Sequence, residues 1–271
     1  MTIKLIATDM DGTLLTDQKE ISPAALAAIA AARAKGVKVV LATGRPLPGV
    51  ARYVQQLGLS GEDEYVLTYN GAFVQNLAGN PVIEHPLGYQ DFSRWNELAV
   101  QNQTYLHFET LNHFYTPNAD MNLYISMESF LTHMPIRYRR PEQIPTGIEI
   151  SKIMITDEPS KLTQFIKQVP ASMYEDYQLT QSEDFFFEIN SKAASKGTGV
   201  LELAQKLGIA PDEVMILGDQ GNDLSMFKQP DFLKVAMGNA IPMIKEHATY
   251  VTATNEDDGF AKAVRKFALG E

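Results

Sequence analysis

The sequence predicts an α/β protein in which both ends of the chain build a parallel-sheet domain and an α+β domain is inserted between them. Three observations lead to this prediction. At both ends, short apolar runs alternate with helical segments, and small or polar residues follow each run. From about residue 84 the pattern changes to short strands of alternating polarity. The charge changes there too, because residues 84–190 hold 7 Lys and Arg against 15 Asp and Glu, a net −8.

The first part of the chain predicts a strand–helix–strand unit. An apolar strand is expected over residues 3–8, and Ser22 followed by Pro23 marks the start of a helix that Gly36 ends. A second apolar strand covers residues 37–42. Because a helix joins them, the two strands should be parallel with a right-handed crossover. A helix over residues 48–57 and a strand over 65–69 follow.

Residues 85–187 are predicted to form the inserted domain. Their alternating polarity indicates a sheet that helices cover on one face. Strands are expected at 106–109, 113–116, 148–155, 177–180 and 185–189, and helices at 92–102, 121–131 and 160–169.

The α/β pattern returns from residue 191. Lys196 opens a helix that continues through Leu207, and a buried strand over residues 214–217 follows. A strand over 232–236, a helix over 241–247, a short strand at 250–251 and a helix over 259–267 complete the predicted sheet layer. We therefore expect one domain from residues 1–84 and 188–271 and a second from 85–187.

Composition excludes several classes of function. The net charge of −10 argues against nucleic-acid binding, which needs a basic surface. The chain has no cysteine, which excludes disulfides, thiolate nucleophiles and cysteine metal sites. No stretch predicts a membrane span or a signal peptide, so a cytoplasmic protein with no membrane partner is expected.

Polar side chains collect where the predicted strands end. They are Asp9, Asp11, Thr43, Asp219 and Asp223, with Lys196 at a helix start. In open α/β sheets ligands bind at this edge. Converging carboxylates repel one another, and a bound Mg²⁺, which prefers oxygen ligands, would resolve the repulsion. Taken singly, each residue also has an ordinary structural interpretation: Thr43 as a helix cap, Lys196 as a surface lysine and the aspartates as turn residues.

Together these residues resemble the four motifs of the haloacid dehalogenase (HAD) superfamily. The motifs correspond to Asp9-Met10-Asp11-Gly12-Thr13, Thr43, Lys196 and Gly218-Asp219-Gln220-Gly221-Asn222-Asp223. The inserted domain and Asn70-Gly71 are similar to the Cof-type sugar-phosphate phosphatases within it. The resemblance implies a Rossmann-like core of residues 1–84 and 188–271, with residues 85–187 as an α+β cap domain.

The resemblance also implies a mechanism and a set of site residues. Asp9 would attack the phosphorus of a phosphate monoester, and Asp11 would act as general acid and then as general base. Mg²⁺ would be held by the Asp9 carboxylate, the Asp11 main-chain carbonyl and the Asp219 carboxylate, with Asp223 orienting metal-bound water. The phosphate would be bound by the N–H of Met10 and by Thr43, Gly44, Lys196 and Asn222.

The expected substrate is a small phosphate ester, most simply a sugar phosphate. Two other functions stay open at this point. A phosphohexomutase would transfer phosphate within a sugar bisphosphate, and a sensor would bind a phosphorylated ligand without hydrolysing it. The intact pair of Asp9 and Asp11 counts against the sensor, because a sensor has no need of an acid/base residue.

Overall fold

The computed structural model describes residues 2–271 of the chain. It divides into two compact units. The core unit comprises the chain up to Gly44, Val50–Ile83 and Ser195–Glu271, and the inserted unit comprises Arg45–Gly49 and Glu84–Ala194. The expected insertion was 85–187. Within residues 2–271, no helix combines the length and the apolar character that crossing a bilayer requires.

Up to Thr68 the first part of the core unit alternates strands and helices as predicted. Ser22 caps the first helix, since its Oγ accepts a hydrogen bond from the Ala25 N–H at 3.1 Å. Gly36, with φ of +84°, follows that helix. The elements are β1 (Leu5–Thr8), α1 (Pro23–Ala34), β2 (Lys38–Ala42), α2 (Leu47–Gln56), β3 (Gly61–Thr68), β4 (Phe73–Leu77) and β5 (Pro81–Glu84).

The middle of the chain contains six strands and four helices. They are α3 (Tyr89–Gln101), β6 (Tyr105–Glu109), β7 (Phe114–Thr116), α4 (Leu123–Thr132), β8 (Ile136–Tyr138), β9 (Lys152–Thr156), α5 (Pro159–Gln168), α6 (Ala171–Asp176), β10 (Tyr177–Glu183) and β11 (Phe186–Ser191). The helix predicted from residue 121 begins at Leu123. The reason is that Asn122 caps it, accepting from the Ile125 N–H at 3.0 Å.

The last part returns to the core unit. Its elements are α7 (Lys196–Lys206), β12 (Val214–Gly218), α8 (Leu224–Phe227), β13 (Leu233–Ala236), α9 (Pro242–Glu246), β14 (Tyr250–Val251) and α10 (Gly259–Val264). The helix predicted over 259–267 keeps α-helical bonding only to Val264, and a π-type turn over Arg265–Leu269 follows.

The core sheet brings three functional loops to one edge. Its strand order is β14-β13-β12-β1-β2-β3-β4-β5. The pairings from β14 to β3 are all parallel, which confirms the predicted parallel-sheet core. β1 lies between β12 and β2, so the loops that follow these three strands leave the sheet side by side. Strands β4 and β5 were not predicted; β4 pairs antiparallel with β3 and β5 lies at the edge.

The inserted unit has its own six-stranded sheet, in the order β10-β11-β9-β6-β7-β8. All of its pairings are antiparallel except that of β7 with β8. One face packs against α3 and α5 through a core that includes Trp95, Phe108 and Phe165. The opposite face carries polar side chains that are nonetheless buried, among them Glu109 and Lys152.

Candidate active site

The loop after β1 places Asp9 in a buried position beside the loop after β12. The backbone N–H of Asp9 donates to the carbonyl of Leu217 at 3.0 Å, which continues the pairing of β1 with β12. Thr13 Oγ1 donates to Asp219 Oδ1 at 2.8 Å and so orients that carboxylate. Gly12 has φ of +77°, and a Cβ atom there would lie 2.5 Å from Asp219 Oδ2. Glycine is therefore required at position 12 both for its backbone conformation and for the close approach of Asp219.

Lys196 connects the two acidic loops. It is the first residue of α7, whose N-cap is Ser195, and its side chain is fully buried. Its Nζ donates to Asp9 Oδ1 at 2.5 Å and to Asp223 Oδ1 at 2.7 Å. Burial by itself favours the neutral amine, but the charges of Asp223 and Asp9 outweigh it, and the pKa of Lys196 lies above its usual value. The lysine is thus a charged group in this site.

Asp223 organises the loop after β12. Its Oδ2 accepts hydrogen bonds from the N–H groups of Asp219 at 2.9 Å and Gln220 at 3.1 Å, while its Oδ1 accepts from Lys196. Gly218 packs so closely on it that a Cβ at position 218 would lie 2.7 Å from atoms of the Asp223 side chain. Asp223 therefore fixes both the loop backbone and the lysine.

Asp9, Asp219 and Asp223 form a cluster that could hold a metal ion. Each offers a carboxylate oxygen, and these oxygens all lie within 4.8 Å of one another. Burial, and then the charge of Asp223, raise the pKa of Asp9 to about 8, and burial raises that of Asp219 to about 6. One lysine does not balance three buried carboxylates. A divalent cation would, and an all-oxygen donor set suits a hard cation.

A second group of polar residues lies in the loops after β2 and β3. The Thr43 carbonyl accepts from the Asn70 N–H at 3.0 Å, and Asn222 Nδ2 donates to Asn70 Oδ1 at 3.4 Å. A Cβ at Gly44 would lie 3.2 Å from Asn70 Nδ2, so that side chain lies directly on the glycine. Met10, in the loop after β1, is fully buried.

The Asp11 carboxylate makes a different contact. Its Oδ1 accepts from Lys19 Nζ at 2.8 Å, and both side chains are about half exposed, at 40% and 50%. The structure thus joins Asp9, Lys196, Asp219 and Asp223 in one buried cluster and links Thr43 and Asn222 through Asn70. Lys19 has no predicted role, and Asn70 is predicted only as part of the Asn70-Gly71 pair that resembles the Cof-type phosphatases. The positive φ angles of both residues, +60° and +54°, become visible only in the folded chain.

Comparisons with known proteins show the family of this chain. The family model described as haloacid dehalogenase-like hydrolase matches residues 6–264. The protein named "Putative phosphatase YxeH" of Bacillus subtilis is 43% identical over 269 residues, which cover 99% of each chain. The 5-amino-6-(5-phospho-D-ribitylamino)uracil phosphatase YcsE of Bacillus subtilis is 32% identical over 98% of this chain and 96% of its own.

Solved structures show the same fold. A haloacid dehalogenase-like hydrolase from Bacteroides thetaiotaomicron superposes with a TM-score of 0.86 at 29% identity, covering 98% of this chain and 99% of the other. The family match spans nearly the whole chain, including the loops that carry Asp9, Lys196 and Asp219. The chain therefore belongs to the haloacid dehalogenase-like hydrolase family, as the resemblance of its motifs predicted.

Proposed function

We propose that this chain is a Mg²⁺-dependent phosphatase that hydrolyses small phosphate monoesters through an aspartyl-phosphate on Asp9. The observation that carries the proposal is the buried contact of Asp9 with Lys196, next to Asp219 and Asp223. A carboxylate that attacks phosphorus is repelled by the phosphate, because both groups are anionic, so it needs a cation beside it. The cationic Lys196 lowers that repulsion, and the buried position excludes competing water.

The reaction has two halves that use the same two aspartates. A carboxylate oxygen of Asp9 forms a bond to phosphorus while the ester P–O bond breaks, and Asp11 gives its proton to the departing alkoxide. Asp11 then removes a proton from the water that attacks the aspartyl-phosphate. The P–O bond to Asp9 breaks, inorganic phosphate leaves, and both aspartates return to their starting states. Thr43, Gly44, Asn222 and the Met10 N–H hold the phosphate oxygens during both halves.

Mg²⁺ fits the residues present. The Asp9 carboxylate, the main-chain carbonyl of Asp11 and the Asp219 carboxylate would hold it, and Asp223 would support the site through the loop backbone that it fixes. When bound, the ion supplies positive charge that compensates the clustered carboxylates and the phosphate oxygens.

A sugar phosphate is the substrate class that we propose. YcsE, at 32% identity, is named for a substrate whose phosphate ester is carried on a ribityl chain, a polyhydroxylated group like a sugar. A cytoplasmic location stays a prediction of the sequence.

The test is a phosphate-release screen over sugar phosphates, nucleotides, and flavin and pyridoxal phosphates, run with Mg²⁺ and with EDTA. We expect release that EDTA abolishes and added Mg²⁺ restores, and no release by Asp9→Asn. Asp17→Asn is the matched control, because Asp17 is exposed in the same loop and contacts Asn255. An isomerised sugar phosphate in place of free phosphate would favour the mutase, and ligand binding with no turnover on any ester would favour the sensor.

A further inference from the structure

A lysine in the loop after Asp11 lies in a backbone conformation that needs an explanation. Lys19 has φ of +60°, in the left-handed region that residues with a side chain rarely adopt. Such strain persists only where the surrounding structure enforces it, and it is common at functional positions. The contacts of Lys19 show what enforces the strain and what the side chain gains from it.

The backbone of Lys19 is held from two sides. Its N–H donates to the Thr16 carbonyl at 2.9 Å, and the Thr16 N–H donates to the Glu20 carbonyl at 2.9 Å, which closes a tight turn. Its own carbonyl accepts from Tyr53 Oη at 3.0 Å and from Arg52 Nη2 at 3.2 Å, both on α2. Tyr53 is buried, so this anchor is rigid.

The lysine side chain extends from this turn to Asp11. The Nζ–Oδ1 distance is 2.8 Å, with both groups about half exposed. An exposed ion pair of this kind contributes little to folding stability, because solvent screens it. What the contact does provide is a fixed hydrogen-bond donor for one oxygen of the Asp11 carboxylate.

We infer that Lys19 is a positioning residue that orients the Asp11 carboxylate for proton transfer to the leaving group. This inference rests on the proposed function, in which Asp11 is the general acid. General acids act only over hydrogen-bond distances, so a carboxylate free to rotate would be correctly placed for part of the time only. The hydrogen bond from the Lys19 ammonium group to Asp11 Oδ1 restricts that rotation.

The inference is tested by the dependence of the rate on the leaving group. An alkyl phosphate such as a hexose 6-phosphate needs a proton on its leaving oxygen, whereas p-nitrophenyl phosphate releases a weakly basic phenolate that does not. The constant kcat/KM covers only the steps through formation of the aspartyl-phosphate. We expect Lys19→Met to lower kcat/KM about tenfold or more for the alkyl ester. For the aryl ester the change should be within about twofold, because the general acid is not needed there.

Three further variants complete the experiment. Lys19→Arg keeps the cation and should recover much of the alkyl-ester rate, and Tyr53→Phe, which removes one backbone anchor, should show a weaker form of the same selective loss. Methionine and arginine meet the same backbone strain as lysine at position 19, so strain is matched. Lys4→Met is the control for an exposed ion pair elsewhere, with Glu213 at 2.6 Å, and should leave both substrates unaffected.

The outcomes are distinguishable. If Lys19→Met lowers kcat/KM equally for both esters, or for neither, the positioning role is overturned while the phosphatase proposal survives. The double variant Asp11→Asn with Lys19→Met gives a further check, because it has no general acid left to orient. If its kcat/KM for the alkyl ester is a further tenfold below that of Asp11→Asn alone, the positioning role is also overturned. If the unaltered protein hydrolyses neither ester in the presence of Mg²⁺, the proposed function fails, and this inference fails with it.

Discussion

Lys196 Nζ and Asp9 Oδ1 lie 2.5 Å apart, between side chains that are almost completely buried. The same ammonium group donates to Asp223 Oδ1 at 2.7 Å. Asp9 comes from the N-terminal part of the chain, and Lys196 and Asp223 come from the C-terminal part. One cation thereby joins the two ends of the core unit at the site where the chemistry is proposed.

Lys196→Met should therefore destabilise the protein as well as inactivate it. Removing one partner of a buried pair leaves the other charge uncompensated, a loss of about 3–5 kcal/mol. Urea unfolding followed by circular dichroism measures it. Lys4→Met, which removes an exposed lysine of similar size, should leave the unfolding midpoint nearly unchanged. A midpoint for Lys196→Met that equals that of Lys4→Met would show that the buried cation does not hold the two loops together.

Gly12→Ala tests the close approach of Gly12 to Asp219. Alanine at positive φ costs about 1–2 kcal/mol at any position. At position 12 its Cβ would also lie 2.5 Å from Asp219 Oδ2, which is too close, so the Asp219 carboxylate would have to move. Gly36→Ala is the matched control, because Gly36 has φ of +84° and nothing lies within 4 Å of its Cβ position. Gly12→Ala should lose more stability than Gly36→Ala in urea unfolding, because the displacement of Asp219 adds to the cost of positive φ. Only Gly12→Ala should lose phosphate release, and an active Gly12→Ala would contradict the tight packing.

Mg²⁺ should stabilise the folded protein through the Asp9, Asp219 and Asp223 cluster. A ligand at about 100 times its dissociation constant adds about 2.7 kcal/mol to the free energy of unfolding. We expect the Tm to rise with Mg²⁺ and to return with EDTA. In Asp219→Asn, which keeps the shape of the side chain but removes its charge, the rise should be largely lost. Equal Tm increases in the two proteins would place the ion elsewhere.

The acidic loops could be predicted from the sequence because each follows a buried strand directly. Asp9 comes immediately after β1 and Asp219 immediately after β12, and these strands are parallel neighbours. Lys196 was different. A lysine in the first turn of a helix has the same local sequence pattern whether it is exposed or buried. Its charge suits a phosphate or a carboxylate partner, but its burial could not be predicted from the sequence.

Other features depend on contacts that local sequence does not encode. Lys19 reaches Asp11 because residues of α2 hold its backbone, and Asn70 lies between Gly44 and Asn222 because two consecutive residues, Tyr69 and Asn70, have positive φ. The strands β4, β5 and β8 were missed for a related reason. Their pairing with neighbouring strands stabilises them, and this pairing is not visible in the local sequence.

Buried charge in the inserted unit should make its stability depend on pH. On the polar face of its sheet, Lys152 Nζ lies 3.3 Å from Glu109 Oε1, and within the described residues neither Glu109 oxygen has a hydrogen-bond partner. Burial raises the pKa of Glu109 from 4.5 to about 8. The folded protein therefore holds the Glu109 proton more tightly than the unfolded chain does. This adds to the free energy of unfolding in full below pH 4.5, and the gain is lost as the pH rises toward 8.

His107, a neighbour of Glu109, has the opposite effect. Burial lowers its pKa from 6.5 to about 3, so its contribution to stability is lost as the pH falls below 6.5. The two effects offset each other between about pH 4.5 and 6.5, and only that of Glu109 remains above 6.5. We therefore expect the free energy of unfolding of the inserted unit to fall by about 1–2 kcal/mol between pH 6.5 and 8.

Glu109→Gln should remove most of that fall, because glutamine does not titrate. Trp95, the only tryptophan, packs against Tyr177 with ring centroids 5.6 Å apart, so its fluorescence reports unfolding of the inserted unit. Urea unfolding at pH 6.5, 7.25 and 8 then compares the two proteins with one probe. The difference between their slopes isolates Glu109 from other titrating groups, including Asp9 in the core unit. If the free energy of unfolding changes equally with pH in the unaltered protein and in Glu109→Gln, Glu109 is already ionised at pH 6.5 in the folded protein. Lys152 would then hold it in that form.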